Sequence, residues 1–360
     1  MDFMATVSVV LAAWNAERFI SATVESVLKQ SFTDFELVAI DDGSTDQTAS
    51  ILSGFAARDS RIRVIQIPNG GVVAACNLGT KHSTGKYLAH IDADDIWHPH
   101  KLAAQVQFLE RHPDHVLLGT AYGVIAEDDV PLRHFKRHYT EDGELRQRLP
   151  HECPFNHSSI IMRTEACRSA GGYRKVFEGA EDYDLWIRLS RLGKVANLPA
   201  VEVKYRRHVN QISNTRLEQQ MIADLGVKLL AKRLDDGLDD PFASLPGPLT
   251  RRDLINVGVS PQAIDRHVLD GFELGARLLS EDGNRPGSLN LLSRAFGIAQ
   301  KSSLAEDEIG RYGLMLSAAY VERRQLLSAI VTGLKVTRRS PLYPFKVLTR
   351  RFAAASPRVQ

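Results

Sequence analysis

The chain has 360 residues, 44% of them hydrophobic and 24% charged, with 45 Lys and Arg against 43 Asp and Glu for a net charge of +2. That length accommodates about two domains and a sizeable core, and the composition is that of a folded globular protein and excludes general disorder. A balance so near neutral excludes a protein whose main task is to coat nucleic acid.

The first predicted element is a buried strand, "TVSVVLA" (6–12), short and rich in β-branched residues. A helix follows over about 17–30, with Phe19, Ile20, Val24, Val27 and Leu28 returning on one face. The alternation repeats as strand "FELVAI", helix about 46–57, strand "IRVIQI", helix about 72–81, strand "KYLAHI" and helix about 100–112. Repeated strand–helix units predict an α/β fold with a mostly parallel sheet flanked by helices. Regularity fades over 116–162, although "VLLGTAYGVIA" and "HSSIIM" read as strands; a helix returns at "EDYDLWIRLSRLG" and "KVANLPAVEVKYRRH" offers one or two strands. After Thr215 the pattern is helical, broken by the turn-rich "LDDGLDDPFASLPGP". The expected organisation is therefore a domain over 1–233, a linker over 234–248 and a helical C-terminal region over 249–360.

Ligands of such sheets bind beyond the carboxyl ends of the strands, which directs attention to "AAWNAE", "DDGSTD", "PNGG" and "DADDIW". In "DDGSTDQT" the turn dipeptide and the capping residues Ser44, Thr45 and Asp46 explain everything after Asp42. Asp41, directly after a buried run, needs a partner, and its carboxylate can accept from a nucleobase N–H or a ribose hydroxyl. In "DADDIWHP", Asp95 or His98 can cap a helix begun by Pro99. The surplus acids Asp92 and Asp94, on one side of an extended segment, can converge on a divalent magnesium or manganese ion shared with substrate phosphates. Glu181 and Asp182 fall in the first turn of their helix, where the dipole favours carboxylates, and one of them can serve as a general base. His157 reads as a satisfied, partly buried histidine or as an acceptor-side residue, and Trp97 and Trp186 as core.

In this order, "VSVVLAAWNAE", "VAIDDGSTDQT", "NGGVVAACNLG", "YLAHIDADDIWHPHKL" and "GGYRKVFEGAEDYDLWIRL" closely resemble the family 2 glycosyltransferases over roughly 5–214. The resemblance implies the GT-A (Rossmann-like) fold, a nucleotide-sugar donor with UDP the usual carrier, a Mn2+ or Mg2+ ion, and inversion at the anomeric carbon. It places the base on the loop of Ala13, Trp14, Asn15 and Glu17, with Asp41 or Asp42 at the nucleobase and Asp92, beside Ala93, facing the ribose. It implies Asp94 as metal ligand, with His208 of "YRRHVNQIS" completing the shell, and Asp182, next to Glu181, as acceptor of the attacking hydroxyl's proton. Relatives commonly carry arginine where this chain has Cys76, and a thiol does not replace a five-donor cation.

The partners expected are a nucleotide sugar and a saccharide, lipid-linked or cell-surface polymer acceptor, without nucleic acid. Residues 321–360 contain nine Lys or Arg and one acid, Glu322, mixed with Leu, Ile, Val, Phe and Tyr; such a segment suits anionic lipid headgroups or forms the solvated face of a helical bundle. Cys76, Cys153 and Cys167 are odd in number and without a CxxC pair, so neither a disulfide framework nor a thiolate zinc site is expected. "MDFMATVSVV" lacks the charge pattern of a leader, and no run reaches the ~18 apolar residues of a membrane span. The expectation is a cytoplasmic protein, able to sit on the inner face of a membrane. Two other functions fit parts of the pattern: a silent nucleotide-sugar binder, and a metal-dependent phosphotransfer enzyme using the DxD as nucleophile and ligand.

Overall fold

The computed structural model describes residues 5–132, 139–208, 211, 215–322 and 325–339. The described residues fall into two units, one running to His208 and including Ala223–Leu249, the other comprising Val209–Ile222 and everything from Thr250.

The first unit is built on the strand–helix alternation expected from the sequence. Strands β1 (Val7–Ala13), β2 (Phe35–Asp42), β3 (Ile62–Ile67) and β4 (Tyr87–Asp92) pair in parallel in the order β3-β2-β1-β4, joined through helices α1 (Ile20–Leu28), α2 (Thr48–Ala56) and α3 (Val72–His82). Val7, Val9 and Leu11 of β1, Leu37 of β2 and Ala89 and Ile91 of β4 pack on one face with Ile20, Val24 and Val27 of α1 and with Leu102 and Leu109 of α4 (Lys101–Arg111). The alternate residues Val38 and Ile40 pack with Ala75 of α3 on the other face. A side chain at Gly79 of α3 would place its Cβ 2.4 Å from Val10 Cγ1, so the close approach of that helix to the sheet requires glycine.

Beyond β4 the sheet is mixed. The chain continues through β5 (Ile96–Trp97), β6 (His115–Ile125), β7 (Pro131–Leu132), α5 (Asp142–Arg148), β8 (Ile161–Arg163), α6 (Thr164–Ser169), α7 (Glu181–Leu189) and β9 (Lys194–Arg206). β8 is antiparallel to both β4 and β6, β6 is parallel to β9, and β5 pairs antiparallel with β9 at the edge. Two residues are too few for β5 to show any periodicity; it exists because β9 pairs with it. The helix expected over about 100–112 is α4, but the capping reading that made Pro99 its first residue is corrected. Since β5 carries the chain along β9 first, with the His98 amide donating to the Glu202 carbonyl, α4 begins only at Lys101, and neither Asp95 nor His98 caps it.

The parallel register puts Ala13 opposite Asp41 and Ala12 opposite Asp92, so the loops after β1, β2 and β4 leave one edge of the sheet at one level. α8 (Leu217–Asp235) follows, and the segment 234–248 belongs to the first unit, where Phe242 is buried against Phe177 with ring centroids 5.7 Å apart. The second unit contains α9 (Arg251–Asn256), α10 (Pro261–Glu281), α11 (Arg285–Lys301), α12 (Glu306–Glu322) and α13 (Leu326–Arg339). Thr250 and Asp253 form a capping box on α9, and Ser260 caps α10 ahead of Pro261. Leu269, Phe272, Leu291, Phe296, Tyr312 and Leu316 are buried in this unit. Among the described residues no helix is long and apolar enough to cross a membrane. Of the nine basic residues after position 320, Arg323, Arg324, Lys346, Arg350, Arg351 and Arg358 lie outside the described residues.

Candidate active site

The loops after β1 and β2 are laced together by their own polar side chains. Asn15, at φ 48°, accepts the Thr45 amide on its Oδ1 at 2.8 Å, and its own amide donates to Ser44 Oγ at 3.0 Å. The Glu17 amide donates to Asp46 Oδ2 (3.1 Å), and Glu17 Oε2 accepts the Gln47 amide (3.0 Å). Asn tolerates the left-handed region better than most residues, so this reciprocal net gives the "WNAE" and "DGSTD" loops one rigid shape and leaves Trp14 55% exposed above them. Asp46 also accepts the Thr48 amide at 2.9 Å, which closes the turn before α2, whereas the N-cap is Gln47 without a side-chain bond, so none of Ser44, Thr45 and Asp46 is the cap expected of this run.

The two acids at the end of β2 have different surroundings. Asp42 is buried and both carboxylate oxygens are occupied, by the amides of Gly70 (2.7 Å) and Gly71 (2.9 Å), which ties the "PNGG" loop to the strand. Gly71 takes φ 85° at the start of α3, a conformation that glycine permits. Asp41 accepts only the Ser44 amide, on Oδ1 at 3.2 Å, among the contacts described.

In "DADDIW" the chain turns at Ala93 and Asp94 instead of continuing as the expected extended segment, and the two carboxylates meet different protein partners. Asp94 Oδ2 lies 2.9 Å from His208 Nε2. Asp92 Oδ1 lies 2.8 Å from His157 Nδ1, and the other ring nitrogen of His157 is 3.0 Å from the Tyr173 hydroxyl. β8 explains this contact, because its antiparallel course delivers the preceding turn His157–Ser159 to the carboxyl end of β4, where Ser158 Oγ also accepts the Asp92 amide at 2.9 Å. Burial alone would lower the His157 pKa; the charge and hydrogen bond of Asp92, followed by the charges of Asp182 and Glu181, instead raise it to about 9. Asp95 is fully buried and accepts the Arg206 amide at 2.8 Å; burial first, then the charges of Asp94 and Asp92, push its carboxyl well above the ordinary range. Arg206 also donates to the Asp94 carbonyl (2.8 Å), and the Thr23 hydroxyl to the carbonyls of Ala93 (3.0 Å) and Asp95 (2.9 Å), so α1 and β9 clamp the turn from both sides.

Glu181 and Asp182 are half-buried at the N-terminus of α7. Burial, then the neighbouring Asp182 charge, raises the Glu181 pKa to about 7. Asp182 is also raised, by burial first; the His157 charge opposes the shift and the Asp92 charge adds to it, which links the acid pair of α7 electrostatically to the acids of β4. α7 is held by Asp184, fully buried between Arg174 and Arg188, with Arg188 Nη2 2.6 Å away. The preceding segment is fixed to α3 by Asn77, which donates to the Tyr173 carbonyl (2.8 Å) and accepts its amide (2.9 Å).

The structure thus pairs Asp94 with His208, groups Asp92, Glu181 and Asp182 around His157, and ties Ala13, Asn15, Glu17 and Asp41 into one rim. Trp97 and Trp186 are core, as expected. Sequence reasoning gave no special place to Thr23, Tyr173 or Arg206, and set His157 down as a satisfied or acceptor-side histidine without a partner. The acid pattern signals none of these, although the basic "KYRRH" before His208 could have drawn attention to Arg206. Cys76, read from the resemblance as a gap in nucleotide binding, is 1% exposed within α3, where burial and then the charges of Glu181, Asp92 and Asp182 push its thiol pKa up.

Comparison with known proteins gives the family and the fold. The model of the glycosyl transferase family 2 matches residues 8–170. An uncharacterized glycosyltransferase of Haemophilus influenzae is 33% identical over 231 residues, 61% of this chain and 71% of that protein. The amylovoran biosynthesis glycosyltransferase AmsE of Erwinia amylovora is 30% identical over 213 residues, 58% of this chain and 79% of its own length. The crystal structure of S. aureus TarS 1–349 in complex with UDP-GlcNAc superposes with a TM-score of 0.51 at 18% identity, over 92% of each chain, a likeness of fold. These matches set aside the phosphotransfer reading. The chain therefore belongs to the family 2 glycosyltransferases, and its mostly parallel sheet with flanking helices has the GT-A fold.

Proposed function

We propose that this glycosyltransferase moves a sugar with inversion from a nucleotide-diphosphate donor, UDP-linked, to a hydroxyl of a saccharide, lipid-linked or cell-surface polymer acceptor, with residues 1–233 as the catalytic domain. The observation that carries the reading is the meeting of Asp94 and His208 at 2.9 Å, beside an Asp92 whose charge is felt by Asp182. The Asp94 carboxylate oxygen is the hard donor that Mn2+ or Mg2+ prefers, with the His208 nitrogen in reach as a secondary ligand, and such an ion supplies several kcal/mol of charge stabilisation to a departing diphosphate.

In this reading the rim of Ala13, Trp14, Asn15 and Glu17 receives the nucleotide, Asp41 accepts an N–H from the base, and Asp42 shapes the loop beside it. Asp92 and Ala93 orient the ribose. Asp182 takes the proton of the acceptor hydroxyl as its oxygen attacks the anomeric carbon and the bond to the diphosphate breaks. Burial keeps that carboxylate a stronger base than an exposed one. UDP-GlcNAc in the TarS complex and the biosynthetic name of AmsE support a UDP-sugar donor and a polysaccharide product. The chain would act in the cytoplasm, with its basic C-terminal sequence drawn to anionic lipid; Ile330, Val331 and Leu334 of α13 are exposed apolar residues that suit the same surface.

A thermal-shift series of nucleotide sugars with and without Mn2+ tests the reading. A bound donor at ~100 times its dissociation constant adds about 2.7 kcal/mol of stability. At least one UDP-sugar should raise the melting temperature in a Mn2+-dependent manner, and Asp94→Ala should remove that dependence. No shift with any nucleotide sugar, or a shift indifferent to Mn2+ and to Asp94, overturns it.

A further inference from the structure

Next to Asp92, through His157, lies a cluster to which the transfer reaction assigns no role. Cys76 Sγ, a ring nitrogen of His90 and a ring nitrogen of His157 lie within 4.8 Å of one another. His90 is 1% exposed, its ring stacks on His157 with centroids 4.8 Å apart, and its Nε2 has no hydrogen-bond partner. A buried imidazole nitrogen left unpaired beside a thiol calls for a ligand, since folding normally satisfies such atoms. We propose that Cys76, His90 and His157 form a second metal site, distinct from Asp94 and His208, selective for a borderline-soft divalent ion of the zinc class.

One sulfur and two imidazole nitrogens are a zinc donor set, whereas magnesium and manganese prefer oxygen. Tetrahedral zinc, with bonds of ~2.3 Å to sulfur and ~2.0–2.1 Å to nitrogen, holds its ligands roughly 3.5 Å apart, so the three atoms need to close by an ångström or so. The hydrogen bond from His157 Nδ1 to Asp92 at 2.8 Å already supplies the outer carboxylate that orients a metal-bound imidazole. Binding through His157 Nε2 replaces its contact with the Tyr173 hydroxyl and leaves a fourth position for water. The ion displaces the Cys76 thiol proton, and any proton on His157 Nε2, to solvent. Glu181, Asp92 and Asp182, all close enough to act on Cys76, provide a negative surround that favours a cation. The C-x-x-C spacing that ordinarily advertises such a site is missing because α3, β4 and the turn before β8 each contribute one ligand.

Co2+ added to the reduced full chain tests the site. A near-ultraviolet thiolate-to-cobalt charge-transfer band should appear, persist in Asp94→Ala, Cys153→Ser and Cys167→Ser, and vanish in Cys76→Ser; Asp92→Asn should weaken binding ~10- to 100-fold. Absence of the band in the parent chain, or its persistence in Cys76→Ser, overturns the proposal. If Cys76→Ser does not fold, X-ray absorption of the zinc-loaded parent chain decides: one sulfur at about 2.3 Å supports the site, and an oxygen and nitrogen shell without sulfur refutes it.

Discussion

Replacing Asp182 by Asn and, separately, Glu181 by Gln distinguishes the proton acceptor from its neighbour. Both carboxyls sit in the first turn of α7 and both are raised, Glu181 to about 7. Such a coupled pair titrates in two steps, and the upper one belongs to the pair's second proton. A group with a pKa of about 7 is ionised to roughly half at pH 7 and to about a tenth at pH 6, whereas an ordinary carboxyl stays ionised over that interval. Transfer should therefore lose activity as the pH falls from 7 to 6. Asn at position 182 keeps the size and hydrogen-bonding capacity of the side chain but cannot take up the proton, so kcat should fall ~10²- to 10⁴-fold while donor affinity is retained. Gln at position 181 removes the like charge and the upper titration step, so the acid limb should move below pH 7 with turnover kept within about tenfold. The assay is release of nucleoside diphosphate from whichever UDP-sugar gives the largest Mn2+-dependent thermal shift, followed across pH, with donor binding measured separately. Normal transfer by the Asp182→Asn protein would remove Asp182 from the role; loss of turnover in Glu181→Gln, with Asp182→Asn active, would hand the role to Glu181.

Three further outcomes follow from the contacts around this centre. In metal-free protein His157 should titrate near 9 by imidazole NMR, and in Asp92→Asn at or below an ordinary histidine, because burial then acts with less opposition; since the folded value is the raised one, the stability this group contributes is full below the unfolded value of about 6.5 and lost as pH rises through 9, and a midpoint unmoved by Asp92→Asn would contradict the assignment. Asp184→Ala should cost about 3 kcal/mol, the lower end of the ~3–5 expected for breaking a buried ion pair, because Arg174 keeps Asp240 and Arg188 keeps the carbonyls of Ala170 and Gly172; a urea midpoint within error of the parent refutes this. Gly79→Ala should destabilise by ~1–3 kcal/mol through the clash with Val10, and adding Val10→Ala should recover part of the loss if the contact is the cause.

The parallel half of the sheet was legible because its strands are short β-branched runs between amphipathic helices, a pattern each segment writes for itself. The edge formed by β5 was not, since two residues have no period and their conformation comes from pairing with β9. Asp42 shows the same limit within the site. The family resemblance offers it equally with Asp41 for the nucleobase, yet Gly70 and Gly71, brought over from another loop, occupy both its oxygens. The DxD was visible as a surplus of charge, but the turn that separates Asp92 from Asp94 is imposed by Thr23 and Arg206, which are far away in the chain.

The sequence by itself determined the strand–helix order, the level at which the acids leave the sheet, and the family, because hydrophobic period and motif spacing are local properties of the chain. Only the tertiary structure decided which partner each acid meets: His208 for Asp94, His157 for Asp92, and Cys76 and His90 brought beside them. Those pairings join residues 65 and 114 positions apart, and at such separations it is the antiparallel return of β8 and the long course of β9 across the sheet that set the distances.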